Sequence, residues 1–193
     1  MKISIIKIGG NVIDFPEKLD EFLALFAKFP GHKILIHGGG VLASRFGESM
    51  GVMPEMVDGR RITDKDTLDI VTMVYAGWIN KSIVAELQGL SCNALGLTGP
   101  DGRIVLSKKR AATPIDYGFV GDVKKVDNQA IDVLISANFT PVFCAITHDG
   151  NGQLLNTNAD TITSQIAAAM SKNYETSIYY CFELNGVLKD IND

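Results

Sequence analysis

The chain has 193 residues, of which 46% are hydrophobic and 21% are charged, and its formal net charge is −4. This composition is typical of a globular domain with a sizeable core and excludes a disordered or fibrous chain. The acidic balance gives no general attraction to nucleic acid or to an anionic membrane, so we expect neither as a partner. There is no apolar run long enough to span a membrane and no recognisable leader, which predicts a cytoplasmic protein.

The first fifty residues alternate between strand and helix patterns. Residues 3–8 and 33–37 are short β-branched runs, whereas residues 16–28 and 41–50 carry apolar side chains at helical spacing. A run of glycines follows each strand directly. Because βαβ connections are right-handed, this order predicts a parallel sheet with helices on its faces, and thus the α/β class.

The middle of the chain departs from this alternation. Asp58-Gly59 lies between two short extended runs and predicts a hairpin. Residues 63–66 resemble a capping box, and a long helix is predicted from 64 to 87. Its apolar stripe, which includes Trp78, is too broad for a surface helix, so we expect this helix in the core or in a homodimer interface.

The remaining elements are shorter. Thiols at Cys92, Cys144 and Cys181 lack metal-ligand spacing and lie in apolar runs, which indicates core thiols and no metal site. Strands are predicted at residues 94–97, 103–109, 119–126, 140–146 and 177–182, and helices at 128–137 and 158–170.

Two glycine turns are the first candidates for chemistry. Lys7 precedes Gly9-Gly10 at the end of the first strand, and Gly38-Gly39-Gly40 joins the second strand to a helix. Backbone amides in such turns bind anions, and a lysine at a strand's carboxyl end reaches the same crevice. Each turn alone is equally compatible with ordinary chain reversal. Neither matches a Walker A loop or a dinucleotide-binding fingerprint.

Polar residues elsewhere have both a structural and a functional interpretation. Arg61, in the predicted hairpin, is suited to bind a carboxylate through two N–H groups, but a solvated arginine is the alternative. Asn158 is a natural N-cap for the following helix, with Asp160 in its first turn. In the functional interpretation, Asn156 presents its amide to a substrate and Asp160 orients a catalytic lysine.

Five motifs in this order resemble those of the acetylglutamate kinases, within the amino-acid kinase family. They are Lys-Ile-Gly-Gly, His-Gly-Gly-Gly, Gly-Arg-Arg-Ile-Thr, Asn-Thr-Asn-Ala-Asp and Asn-Gly-Val-Leu, starting at residues 7, 37, 59, 156 and 185. The resemblance covers nearly the whole chain. It implies the amino-acid kinase fold, a three-layer αβα sandwich with an open, mainly parallel sheet. It also implies an enzyme that uses ATP with Mg²⁺ to phosphorylate the side-chain carboxylate of N-acetyl-L-glutamate, or of a related N-acylglutamate, in arginine biosynthesis.

The resemblance also implies a role for each motif. Lys7 would stabilise the transferring phosphoryl group and Asp160 would organise the lysines, both as catalytic residues. Gly39, Gly40, Arg61 and Asn156 would bind the substrate. The nucleotide and its phosphates would contact Gly9, Gly10, Glu183, Leu184, Asn185, Gly186, Val187 and Leu188. Residues 1–150 would then form the N-acylglutamate-binding and dimerisation lobe, and residues 151–193 the start of the nucleotide-binding lobe.

The family's second catalytic lysine lies in a Gly-Met-x-x-Lys segment, and these 193 residues contain no such segment. We therefore expect that a C-terminal part is missing from the sequence. A truncated, non-catalytic subunit that binds acylated amino acids is one alternative, and a kinase for another amino acid is a second. The sequence does not distinguish an acetyl from a succinyl group on the substrate.

Overall fold

The computed structural model describes residues 1–57 and 60–182, which form an α/β domain. The strands are β1 (Lys2–Ile8), β2 (His32–His37), β3 (Met56–Val57), β4 (Arg60–Arg61), β5 (Ala94–Leu97), β6 (Val105–Lys109), β7 (Gly121–Val126), β8 (Thr140–Cys144), β9 (Ile146–His148), β10 (Leu154–Asn156) and β11 (Glu175–Cys181). The α-helices are α1 (Gly10–Ile13), α2 (Pro16–Lys28), α3 (Gly40–Ser49), α4 (Lys65–Thr72), α5 (Asn80–Gly89), α6 (Asn128–Ser136) and α7 (Ala159–Met170).

Five parallel strands form the central sheet in the order β11-β1-β2-β8-β5. Their side chains are predominantly apolar, and Ile34, Leu35 and Ile36 on β2 are fully buried. A strand covered by helices on both faces reads as a continuous apolar run rather than an alternating one. The predicted mainly parallel α/β fold is therefore confirmed.

A second sheet, ordered β10-β9-β6-β7, lies beside the carboxyl ends of the central strands. The sequence pattern predicted one strand over residues 140–146, which is wrong: β8 ends at Cys144 and the chain enters the second sheet at Ile146. A tight turn causes the reversal after β9. Its Asp149 carboxylate accepts hydrogen bonds from the amides of Asn151 and Gln153.

The small hairpin pairs β3 with β4 in antiparallel register, as predicted, and the turn residues 58 and 59 lie outside the described part of the chain. The predicted long helix is present as α4, a π-helical segment (Met73–Ile79) and α5 without interruption. Its N-cap is Asp64, which accepts from the Thr67 amide, so the predicted capping box at Thr63 is wrong. Within the described residues, no helix has the length and apolar character needed to cross a membrane.

Trp78 does not lie in the core, one of the two positions expected for its helix face, since the residue is 55% exposed; this exposure is compatible with the other, a homodimer interface. The π segment accommodates more residues per turn than an α-helix, which rotates the following side chains around the axis. Leu68, Val71 and Tyr75 remain buried, while Trp78 turns outward and packs edge-on against Phe46.

A buried polar cluster fixes the end of β2 against α5. The imidazole of His37 is fully buried, with Nδ1 2.8 Å from the Gly38 carbonyl oxygen and Nε2 3.0 Å from the Asn80 side-chain nitrogen. The same Asn80 amide donates to the Val142 carbonyl on β8. These partners satisfy a neutral imidazole that donates through Nδ1 and accepts at Nε2. Burial lowers the pKa of His37 from 6.5 to about 4.

A lysine ties α2 to β2. The ammonium group of Lys33 donates to the carbonyl oxygens of Phe26, Ala27 and Phe29 at 2.7–2.8 Å. Phe26 and Ala27 lie in the last turn of α2 and Phe29 is its C-cap, at the end of the helix where carbonyl groups are short of partners and the helix dipole favours a cation. Burial lowers the pKa of Lys33.

We expect the free energy of unfolding to fall as pH drops from 6.5 towards 4. In that window the unfolded chain binds a proton at His37 that the folded chain excludes, so protonation favours unfolding. The loss is on the order of 3 kcal/mol by the time the folded pKa is reached. The measurement is urea unfolding, between pH 6.5 and 4, of the wild type and of His37→Gln, which keeps an acceptor for Asn80. If the free energy of unfolding changes with pH equally in both proteins, His37 is not the group responsible.

Replacing Lys33 by Met keeps the aliphatic stem but removes the three donated hydrogen bonds from α2. We expect a loss of about 2 kcal/mol in the free energy of unfolding, because buried carbonyls lose a charged donor. The control is Lys28→Met on the exposed face of the same last turn, expected to change stability by less than about 0.5 kcal/mol. Equal effects of the two substitutions in urea titrations contradict the capping role.

Candidate active site

The parallel register of β1 and β2 brings the two glycine turns together. Ile8 lies opposite His37, so both strands end at the same level of the sheet. A cavity of about 270 Å³ opens there, where ligands of open α/β sheets bind. Its walls include every predicted site residue within the described chain, namely Lys7, Gly9, Gly10, Gly39, Gly40, Arg61, Asn156 and Asp160.

Lys7 and Asp160 form an ion pair in this cavity, with Nζ 2.9 Å from Oδ1. The lysine side chain is 18% exposed and the carboxylate 54% exposed, so the pair is accessible to a ligand from the carboxylate side. Asp160 lies in the first turn of α7, and Asn158 caps that helix by accepting from the Thr161 amide. The structural interpretation of Asn158 is therefore confirmed, and the same cap holds Asp160 in place towards Lys7.

In the first glycine turn, one backbone amide is already hydrogen-bonded within the protein. Gly9 N–H donates to the carbonyl oxygen of Cys181 at 3.2 Å and so extends the pairing of β1 with β11. Gly10 begins α1, and its backbone borders the cavity. The sequence predicted that the amides of Gly9 and Gly10 both bind phosphate. In the structure, the Gly9 amide already donates to a carbonyl oxygen of the protein.

The second turn requires glycine at position 39. Gly39 has φ +148°, and a Cβ built there would lie 2.2 Å from Cδ1 of Ile79. The backbone therefore passes directly over the long helix and delivers Gly40 to the first position of α3. The amides at the start of this ten-residue helix have no intrahelical acceptors, and the helix dipole favours an anion in front of them.

Arg61 lies at the end of β4, beside this second turn. Its Nη2 donates to the Gly40 carbonyl oxygen at 2.9 Å and to Ser44 Oγ at 2.7 Å. The guanidinium carries five N–H donors, so this anchoring by one nitrogen leaves others for a ligand. Tyr75 from the π segment borders the same space, and burial raises its pKa, so it stays neutral.

Asn156 on β10 connects the second sheet to Thr63, which follows the hairpin. Its backbone amide donates to Phe119 O, and its side-chain amide donates to Thr63 Oγ1 at 3.1 Å. Thr63 in turn exchanges backbone hydrogen bonds with Tyr117 and Phe119. Gly118 makes this possible, because a Cβ there would lie 2.2 Å from Thr63 O. The side-chain amide of Asn156 therefore has a fixed orientation at the cavity wall.

Arg60, Arg110 and Tyr75 are among the cavity side chains that sequence reasoning missed. Arg110 follows β6 directly, and its Nε and Nη2 donate to Asp122 Oδ1 on β7. No local sequence signal marks Arg110 as a cavity residue, because its place depends on the packing of the second sheet. Among the described residues of the wall, Lys7 and three arginines face one carboxylate, that of Asp160, so the cavity is cationic in an acidic protein.

The predicted nucleotide contacts Glu183, Leu184, Asn185, Gly186, Val187 and Leu188 lie outside the described residues. Within the described ranges, there is no group of three or more His, Cys, Asp or Glu side chains arranged to hold a metal ion. The described part of the cavity therefore offers cationic side chains and backbone amides, which suit an anionic ligand.

Comparison with known proteins agrees with this geometry. A profile of the amino acid kinase family matches residues 2–191. Acetylglutamate kinase from Cytophaga hutchinsonii is 56% identical over all of this chain and 73% of its own length, and that from Bacteroides fragilis is 48% identical over all of this chain and 74% of its own. N-acetylglutamate synthase from Neisseria gonorrhoeae, complexed with coenzyme A and N-acetyl-glutamate, shares the fold with a TM-score of 0.81 at 19% identity, covering 96% of this chain and 42% of that one. The chain belongs to the amino acid kinase family.

Proposed function

We propose that this protein is an acetylglutamate kinase, which transfers the γ-phosphoryl group of ATP to the side-chain carboxylate of N-acetyl-L-glutamate in arginine biosynthesis. The observation that carries the proposal is the cationic cavity, in which eight residues chosen from sequence motifs meet around the Lys7–Asp160 ion pair. The acetylglutamate kinases that match the whole chain at 48% identity and above support the same reaction.

The charges of the reactants determine what the protein must supply. The nucleophile is a carboxylate, which is already ionised near pH 7, so no side-chain base is needed. Two anions must approach each other, and catalysis then consists of positioning and of positive charge near the moving phosphoryl group. Lys7 supplies that charge at the end of β1, and Asp160 holds the ammonium group in place.

The substrate is bound from the opposite wall. Arg61 offers its remaining N–H donors to a substrate carboxylate, with the guanidinium fixed by Gly40 and Ser44. The second glycine turn presents backbone to the acylated amino acid, and Asn156 binds near the substrate amide. Each of these groups is held by contacts within the protein, so little ordering accompanies binding.

ATP is the phosphate donor, and its phosphates approach Lys7 and the first glycine turn, where the Gly9 amide already donates to Cys181 and the Gly10 backbone borders the cavity. A Mg²⁺ ion would be carried by the nucleotide rather than by a protein cage, in keeping with the absence of an acidic cluster in the described ranges. When bound, the ion neutralises phosphate charge. The division into an acylglutamate lobe (residues 1–150) and a nucleotide lobe that begins at residue 151 remains part of this proposal.

The protein is further proposed to be a cytoplasmic homodimer. The free thiols of Cys92 and Cys144 are buried, and reduced thiols are typical of the cytoplasm. On the long helix, Met73 and Trp78 are about half exposed, at 49% and 55%, and Phe46 on α3 packs against Trp78. Exposed aromatic and Met side chains that cluster on neighbouring helices are typical of subunit interfaces.

The reaction is tested by trapping the acyl phosphate product with hydroxylamine in the presence of N-acetyl-L-glutamate, ATP and Mg²⁺. We expect Lys7→Ala to lower kcat roughly a hundredfold or more, because one charge on the transferring group is lost. Lys2→Ala is the matched control, since Lys2 pairs with Glu175 on the exposed surface of the same strand. Turnover in Lys7→Ala within a few-fold of the wild type excludes the assigned role.

The subunit interface is tested by Trp78→Glu. Burying an unpaired carboxylate in an apolar interface costs a large desolvation free energy, so we expect the dimer to dissociate into monomers. Sedimentation velocity measures the mass of the wild type and the variant at equal concentration. Val133→Glu, at another exposed apolar side chain on α6, controls for added charge and should leave the dimer intact. A monomeric wild type rules out the interface.

A further inference from the structure

Tyr75 brings a buried hydroxyl group to the wall of the candidate site. It belongs to the π-helical segment of the long helix, and the residue is only 6% exposed. Its ring packs against the second glycine turn, since a Cβ built on Gly39 would lie 3.2 Å from its Cδ1 and 3.3 Å from its Cε1. The side chain lines the first cavity, which holds Lys7 and Arg61, and not the neighbouring second cavity of about 390 Å³.

The hydroxyl group of Tyr75 lies near the guanidinium of Arg61. A Cβ built on Gly40 would lie 3.9 Å from the tyrosine hydroxyl oxygen and 4.0 Å from Arg61 Nη2, so both groups face the first residue of α3. The first turn of α3 contains no acidic side chain, and its free amides favour an anion. A cation, a hydroxyl group and a helix N-terminus therefore converge on one part of the cavity wall.

The Tyr75 hydroxyl is available as a hydrogen-bond donor. Burial raises the pKa of Tyr75, and the positive charge of Arg61 offsets this only in part, so the phenol keeps its proton near neutral pH. A guanidinium has N–H donors and no acceptor, so Arg61 cannot accept that proton. Because the ring is held by packing, the hydroxyl can donate to an anionic ligand with little loss of side-chain freedom.

N-acetyl-L-glutamate carries two carboxylates, and the proposed reaction uses one of them as the nucleophile. The side-chain carboxylate must meet the phosphoryl group, whose charge Lys7 stabilises. The α-carboxylate is then the group that remains for the donors of Arg61 at the second glycine turn. A carboxylate has about four lone-pair sites on its two oxygens, so it can accept from Arg61 and from a neighbouring hydroxyl at the same time.

We propose that Tyr75 is a further substrate-binding residue, whose hydroxyl donates a hydrogen bond to the α-carboxylate of the N-acylglutamate beside Arg61. The inference rests on the proposed kinase function and deepens it, because it makes Tyr75 a determinant of specificity for acceptors that carry a second carboxylate. An acceptor without the α-carboxylate leaves the hydroxyl without this partner. Tyr75 thus affects how tightly the substrate binds and not the charge on the moving phosphoryl group.

The test compares N-acetyl-L-glutamate with γ-acetamidobutyrate, which has the same acetamido group and reacting carboxylate but no α-carboxylate. Acyl phosphate formation with ATP and Mg²⁺ gives kcat and KM for the wild type and for Tyr75→Phe, which keeps the ring. For N-acetyl-L-glutamate we expect KM to rise about tenfold and kcat to stay within about twofold, because a hydrogen bond to a charged group is lost from binding. For γ-acetamidobutyrate, kcat/KM should change less than about twofold.

Tyr174→Phe is the matched control, since Tyr174 precedes β11 at the opposite end of the central strands from the cavity. It should leave the kinetics with both compounds unchanged. An unchanged KM for N-acetyl-L-glutamate in Tyr75→Phe overturns the proposed contact, and so does an equal loss with both compounds, because altered packing would not distinguish them. If the wild type phosphorylates neither compound, the proposed function itself fails.

The double variant Arg61→Ala/Tyr75→Phe separates a direct contact from an effect that acts through Arg61. If the hydroxyl binds the carboxylate itself, Tyr75→Phe should raise KM for N-acetyl-L-glutamate by a further factor of at least about three in a protein that already carries Arg61→Ala. No further rise in that background shows that Tyr75 acts only by positioning Arg61, and contradicts the proposed contact.

Discussion

The site depends on one constraint, the parallel pairing of β1 with β2 in which Ile8 lies opposite His37. A parallel pair ends both strands at one edge, so two turns from distant parts of the chain meet there. Antiparallel pairing would put the turns at opposite ends of the sheet. The buried hydrogen bonds of His37 to Gly38 and Asn80 fix the end of β2, and with it the position of the second turn.

The electrostatics of the site follow from the same arrangement. The chain is acidic overall, yet the strand ends concentrate Lys7, Arg60, Arg61 and Arg110 around one space. Positive side chains that line one cavity repel one another, and hydrogen-bond and ion-pair partners inside the protein offset part of this unfavourable energy. Asp160 balances Lys7, Asp122 balances Arg110, and the Gly40 carbonyl with Ser44 holds Arg61. Anions entering the cavity therefore meet donors that are already oriented.

Most of the fold was predictable because its signals are local. Buried parallel strands are continuous apolar runs and helices have their own period, so most elements, including the full extent of α2, were found. The candidate residues next to the glycine turns were proposed from the same kind of local signal. The role of Arg110 was not predictable, because its place depends on the packing of the second sheet. The apolar spacing left open whether Trp78 lies in the core or at an interface, because the π segment that turns it outward has no signature in that spacing.

That π segment has a consequence for how changes at the surface reach the interior. Within seven residues it carries Tyr75, which borders the first cavity, and Trp78, which faces away from the core. The two side chains share one run of wide helical turns, and Ile79 at its end lies directly beneath Gly39. A shift of this run by a fraction of a turn moves an outer aromatic side chain, a cavity wall and a backbone turn as one mechanical unit. In the homodimer proposed above, self-association through Trp78 would therefore be coupled to ligand binding in the first cavity, with reciprocal effects on the two affinities.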